Sequence, residues 1–137
     1  MPLRHVALLL LIAGTPGCGH SRERPTEVPQ GTWGGEDAAL IVGQDSAHAH
    51  IGCTKGDVKG VIPLDADGRF AVDGSYNVNA FPVDLGILHP ARFTGTTDGR
   101  TLTFIVRLTD TGQTLGPAVV TLGQEPRMGT CPICRRP

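Results

Sequence analysis

The residues whose types and spacing allow chemistry are Cys18, Cys53, Cys131 and Cys134 and the pair His48-x-His50. In an oxidising compartment, Cys53 and one of the two tail cysteines, Cys131 or Cys134, are expected to form a structural disulfide. It would pin a tail containing Pro126, Pro132 and Pro137 to the domain, and closing so long a loop contributes about 3–5 kcal/mol in the chain-entropy model. Cys131-Pro132-Ile133-Cys134 is also a CxxC. Redox pairs of that form open a helix in a βαβ setting, and nothing around this one reads so.

A metal site is the sharper alternative. His48 and His50 with Cys131 and Cys134 supply the imidazole and thiolate donors that zinc or copper takes. On a regular strand His48 and His50 share one face, while Cys53 falls on the other with Ala47, Ala49 and Ile51. The expectation is two solvent-facing histidines and an inward cysteine. A bulge at Gly52 would be needed to bring Cys53 to the histidine face.

Other groups invite chemistry less. His89 beside Pro90, with Asp84 or Asp110 as partner, has the makings of a general base, although a lone loop histidine is ordinarily just solvated. Asp65-Ala66-Asp67-Gly68 lacks the later ligands of a calcium loop and reads as a turn. Trp33, Phe70, Phe93 and Phe104 are the candidates to line a pocket at a barrel mouth, against the plainer expectation that Trp33 plugs one end of the core. No G-x-S-x-G, H-E-x-x-H, P-loop or G-x-G-x-x-G pattern is present, so no catalytic residue is assigned and the reading leans away from an enzyme, with a site dispersed in sequence, such as His89 beside an acid in a polar cleft, as the third alternative.

Those residues are carried by a chain of 137, enough for one domain. With 39% apolar and 18% charged residues it is neither a disordered chain nor a multi-span membrane protein. The net charge of −1, with acids and bases interspersed, offers no basic face to nucleic acid.

Residues 1–17 read as a signal peptide: basic Arg4, the apolar run 6–13, then small and turn-forming residues. Thr15-Pro16-Gly17-Cys18 resembles a bacterial lipoprotein box, which implies lipidation of Cys18. Cleavage by the ordinary signal peptidase is the alternative, and Pro16 would obstruct it. Residues 18–30 are polar, with Pro25 and Pro29, and read as a flexible tether.

Residues 31–137 read as a single all-β domain with a proline-rich, cysteine-containing tail. In the run 100–110, Leu102, Phe104, Val106 and Leu108 share one parity and Thr101, Thr103, Arg107 and Thr109 the other, with Ile105 the exception. Asp98-Gly99 joins it as a hairpin to 91–97. Further strands are expected at 37–42, 47–53, 58–64, 69–75 and 115–122, with an irregular connection over 78–90. About seven strands with little helix predict a small antiparallel up-and-down barrel, or alternatively a β-sandwich.

The opening Gly31-x-Trp33-Gly34-Gly35, Cys53, Gly60, Gly68-x-Phe70, Ala91-x-Phe93-x-Gly95, Asp98-Gly99-x-x-Leu102 and Leu122-Gly123 before Cys131 resemble a group of uncharacterised exported bacterial proteins. The resemblance spans most of residues 31–131. It implies architecture and address, with no activity. It also implies that Cys53 pairs with Cys131 and that Cys134 departs from the pattern.

The leading expectation is therefore an exported lipoprotein of the cell envelope, membrane-anchored through Cys18. Without a cofactor, it would bind a small apolar ligand or another envelope protein. The alternative is a metal-binding or thiol-active protein using His48, His50, Cys131 and Cys134 with zinc or copper.

Overall fold

Alternation of apolar and polar side chains builds the wall strand by strand. In Thr101–Leu108, Leu102, Phe104, Val106 and Leu108 are buried while Thr101, Ile105 and Arg107 face outward. The exceptional Ile105 lies at a register shift between Phe104 and Val106. Its outward side is the one its parity requires, between the inward Phe104 and Val106.

The structure, a computed structural model, describes residues 23–131 together with Gly14, Gly17 and Gly19. Its strands are β1 (Gly31–Gly35), β2 (Ala38–Val42), β3 (Ser46–Ile51), β4 (Thr54–Lys59), β5 (Arg69–Asn77), β6 (His89–Thr97), β7 (Thr101–Leu108) and β8 (Thr114–Leu122). Each pairs antiparallel with the next, and β1 pairs with β8 through Trp33↔Leu122 and Gly34↔Thr121. The result is a closed up-and-down barrel, not a sandwich, with eight strands where about seven were expected. Closure gives every described strand two neighbours.

Turn chemistry fixes the register. Asp98 Oδ1 accepts the N–H groups of Arg100 and Thr101 between β6 and β7. Asp65 Oδ1 does the same for Asp67 and Arg69 ahead of β5. These amide contacts hold both carboxyls below the usual carboxylate range.

Three placements differ from expectation. Residues 31–35, for which no strand is expected, form β1, with Trp33 buried in the core. The strand expected at 58–64 instead occupies Thr54–Lys59, because the chain reverses at Gly52-Cys53 with Gly52 at φ 57°. Cys53 therefore sits in a turn and does not point inward from a strand. The tether also ends earlier than residue 30: Val28 N–H donates to Ile62 O, Leu64 N–H to Thr26 O, and Val28 is buried.

The two barrel ends are distinct. The N-terminal segment lies at the end formed by the β2–β3, β4–β5 and β6–β7 connections, where Arg24 donates to Ala66 O and Pro25 packs near Gly99. The opposite end carries the β1–β2, β3–β4, β5–β6 and β7–β8 connections. After β8 the chain turns at Gly123 and runs back along β1 to that opposite end, pairing Glu36 with Arg127 in parallel. Gly34, outward beside the inward Trp33, has no side chain because the 124–126 backbone passes directly over it.

The barrel is filled. Trp33, Phe93, Phe104 and Phe70 are 0%, 2%, 1% and 6% exposed and belong to one core cluster with Tyr76, Leu102 and Leu108. Trp33 Nε1–H is satisfied by Pro29 O at 3.0 Å. The aromatics thus belong to the packed core and do not line an open mouth, as the interior of an eight-stranded barrel is just wide enough for side chains. The outward residues of β3, β4 and β7 include His48, Asp57, Lys59 and Arg107. This inverts the alternation of a membrane-spanning barrel.

Candidate functional site

The connection between β5 and β6 combines an apolar sequence with a fixed backbone. Phe81, Val83, Leu85, Ile87 and Leu88 are 44–69% exposed. Between them Asp84 turns back onto the barrel: Oδ1 accepts Asn77 Nδ2–H and the Gly86 N–H, both at 2.8 Å, and Oδ2 lies 2.7 Å from Lys55 Nζ. Asn77 is 2% exposed, and its Oδ1 accepts the Asn79 N–H at 2.9 Å. Lys55 first, then Gly86 and Asn77, lower the Asp84 carboxyl to about 2. One carboxylate so holds the loop that its apolar side chains stay in solvent, an arrangement that marks interaction surfaces.

A second cluster stands on the outer wall. Cross-strand pairing of β3 with β4 sets His48 opposite Asp57 and His50 opposite Lys55. His48 Nδ1 lies 2.6 Å from Asp57 Oδ1, and His48 Nε2 lies 3.0 Å from His50 Nε2. Both imidazoles are half-buried and on one face, as strand parity requires. Burial, then the neighbouring His48 and Lys55, push the His50 pKa down.

Cys53 and Cys131 form a disulfide with Cα atoms 5.5 Å apart. Cys131 therefore offers no thiolate to a metal beside the histidines. Cys18 and Cys134 lie outside the described residues.

His89 Nδ1 lies 2.8 Å from Asp110 Oδ2 and draws that carboxyl below its ordinary value. Among the described residues no hydroxyl or thiol is hydrogen-bonded to His89. The pair joins the start of β6 to the β7–β8 loop, an orienting dyad without a nucleophile. At the other end of the barrel a cleft of about 290 Å³ runs between the N-terminal segment and the turns, lined by Arg24, Pro25, Leu64, Asp65, Thr97 and Asp98.

Sequence reasoning missed Asp57, Lys55, Asn77 and Asp84 as positioning residues. Asp57 and Lys55 were legible in principle: a turn at Gly52-Cys53 forces 48↔57 and 50↔55. The role of Asp84 had no local signal, because it depends on the distant Lys55. No family model matches the chain, and no curated protein or solved structure does either.

Proposed function

We propose that the protein is a non-enzymatic module of the cell envelope, exported and anchored by lipid on Cys18, that docks on another envelope protein through the apolar 81–88 loop. The observation that carries this reading is the loop itself, apolar outward and pinned inward by Asp84. A pre-formed surface loses little conformational entropy on association.

The partner is a protein rather than the membrane because of where the loop lies. The chain upstream of Arg24 leaves from the end opposite the loop. Seven residues from Cys18 to Pro25 reach at most about 25 Å, and a strand of nine residues adds about 30 Å. An anchor there keeps the N-terminal end near the bilayer and turns the loop away. A small apolar ligand inside the barrel is disfavoured by the packed Trp33, Phe70, Phe93 and Phe104.

The test is site-specific photo-crosslinking in intact envelopes, with the probe at Leu85 and, for reference, at Asp98. A discrete protein adduct from Leu85 but not Asp98, lost in Leu88→Asp, is expected. Adducts to lipid from Leu85, or to a second copy of this chain alone, would overturn the reading. Intact mass of the envelope-extracted protein checks the lipid on Cys18.

A further inference from the structure

We propose that His48 and His50 form an open two-histidine site for a divalent transition-metal ion, with Cu²⁺ the ion expected to bind most tightly. The proposal is independent of the docking surface and uses no cysteine.

The two ring nitrogens are placed as ligands of one ion. Nε2 of His48 and Nε2 of His50 are 3.0 Å apart, and the ring centroids are 4.7 Å apart with planes at 76°. A straight N–H···N hydrogen bond at that nitrogen separation would put the centroids about 5.3 Å apart, taking an imidazole radius of about 1.15 Å. The rings are therefore bent off a straight hydrogen-bond line. Two nitrogens 3.0 Å apart match the separation of adjacent ligands that each lie about 2.0 Å from one metal ion. Among the first-row divalent ions, Cu²⁺ binds a nitrogen site of this kind most tightly.

Asp57 completes the arrangement. An ionised carboxylate only accepts, so His48 Nδ1–H donates to Asp57 at 2.6 Å and the lone pair of the neutral ring is on Nε2. This carboxylate–histidine pairing fixes ring orientation and raises ligand basicity. The adjacent cation, Lys55, has its charge paired with Asp84 at 2.7 Å. The histidines are two residues apart on a strand whose ladder is paired on both sides, so the chelate is preorganised. Water takes the remaining positions.

The experiment is a titration of the mature, disulfide-intact protein with Cu²⁺ alone, followed by calorimetry and by electron paramagnetic resonance. One equivalent with an axial spectrum split by two nitrogens is expected. His48→Gln and His50→Gln should each abolish that spectrum, His89→Gln should retain it, and Asp57→Asn should weaken binding about 10- to 100-fold. Near-UV circular dichroism of each variant establishes that the barrel is intact. Failure of the wild type to take up the ion, or persistence of the spectrum in the His48→Gln/His50→Gln double variant, would overturn the site.

Discussion

Lys55 Nζ lies 2.7 Å from Asp84 Oδ2, which fastens the β5–β6 loop to the second residue of β4. The contact joins an exposed apolar loop to a barrel whose remaining connections are mostly short and polar. Asn77, buried and bonded to the same carboxylate, closes the arrangement from β5.

Acid should loosen this anchor in a defined window. The Asp84 carboxyl is lowered from 3.8 to about 2 on folding. A depressed carboxyl contributes stability above its unfolded value and loses it as pH falls through the folded one. Asp65, Asp98 and Asp110 act in the same direction. The urea midpoint should therefore fall between about pH 4 and pH 2, and Asp84→Asn should make that acid limb shallower while speeding hydrogen exchange at the Gly86 amide. An unchanged limb in Asp84→Asn would disprove the assignment.

Tyr76 gives the complementary alkaline prediction. It is fully buried, and its hydroxyl meets Thr54 Oγ1 at 2.9 Å. Burial raises its pKa above 10, so the unfolded chain ionises first and stability should decline as pH rises past about 10. As the only tyrosine in the chain, it can be titrated by phenolate absorbance, which should rise at higher pH than in free tyrosine. Tyr76→Phe should cost about 0.5–1.5 kcal/mol at neutral pH, because Thr54 Oγ1–H keeps its bond to Ile51 O, and should flatten the alkaline limb.

Gly34 tests why the Trp33-Gly34-Gly35 run is built as it is. A Cβ there would stand 2.5 Å from Pro126 N and closer still to Gln124 O. These are backbone atoms and cannot swing away. Gly34→Ala should therefore lift the returning tail from β1 and cost about 1–3 kcal/mol as an overpacking change. A denaturation midpoint equal to wild type would show that the tail yields freely.

Strands with regular alternation were legible. Phe70 in β5, Phe93 in β6 and Leu102, Phe104, Val106 and Leu108 in β7 all point inward as their parity required. The β1 strand was not, since three of its five residues are glycines that carry no alternation. Cys53 was misplaced because a reversal at Gly52-Cys53 lacks the Asn-Gly or Asp-Gly signature that marks a tight hairpin. At the histidine cluster the shared face followed from spacing, while the partner Asp57 depended on that unread turn. The docking loop was expected only as an irregular connection, because its order comes from Asp84 reaching residues on two other strands.

The disulfide should matter most at the seam where the barrel closes. β1 and β8 share two paired positions, fewer than any other neighbouring strands, so the closure has little ladder of its own. The tail compensates: Gly123 N–H donates to Thr32 O, Arg127 N–H to Gly35 O, and Asp37 N–H to Arg127 O. Cys131 then locks the tail to Cys53 across 78 residues of sequence. In the chain-entropy model a loop of that length corresponds to about 4–5 kcal/mol, and loss of such a bridge typically costs about 2–5 kcal/mol. Reduction, or Cys131→Ala, is expected to lower stability by that amount and to speed exchange first at the amides of Asp37, Gly123 and Arg127. Protected amides at those three positions after reduction would mean that the tail holds β1 by its backbone bonds alone, with the disulfide acting only on the unfolded chain.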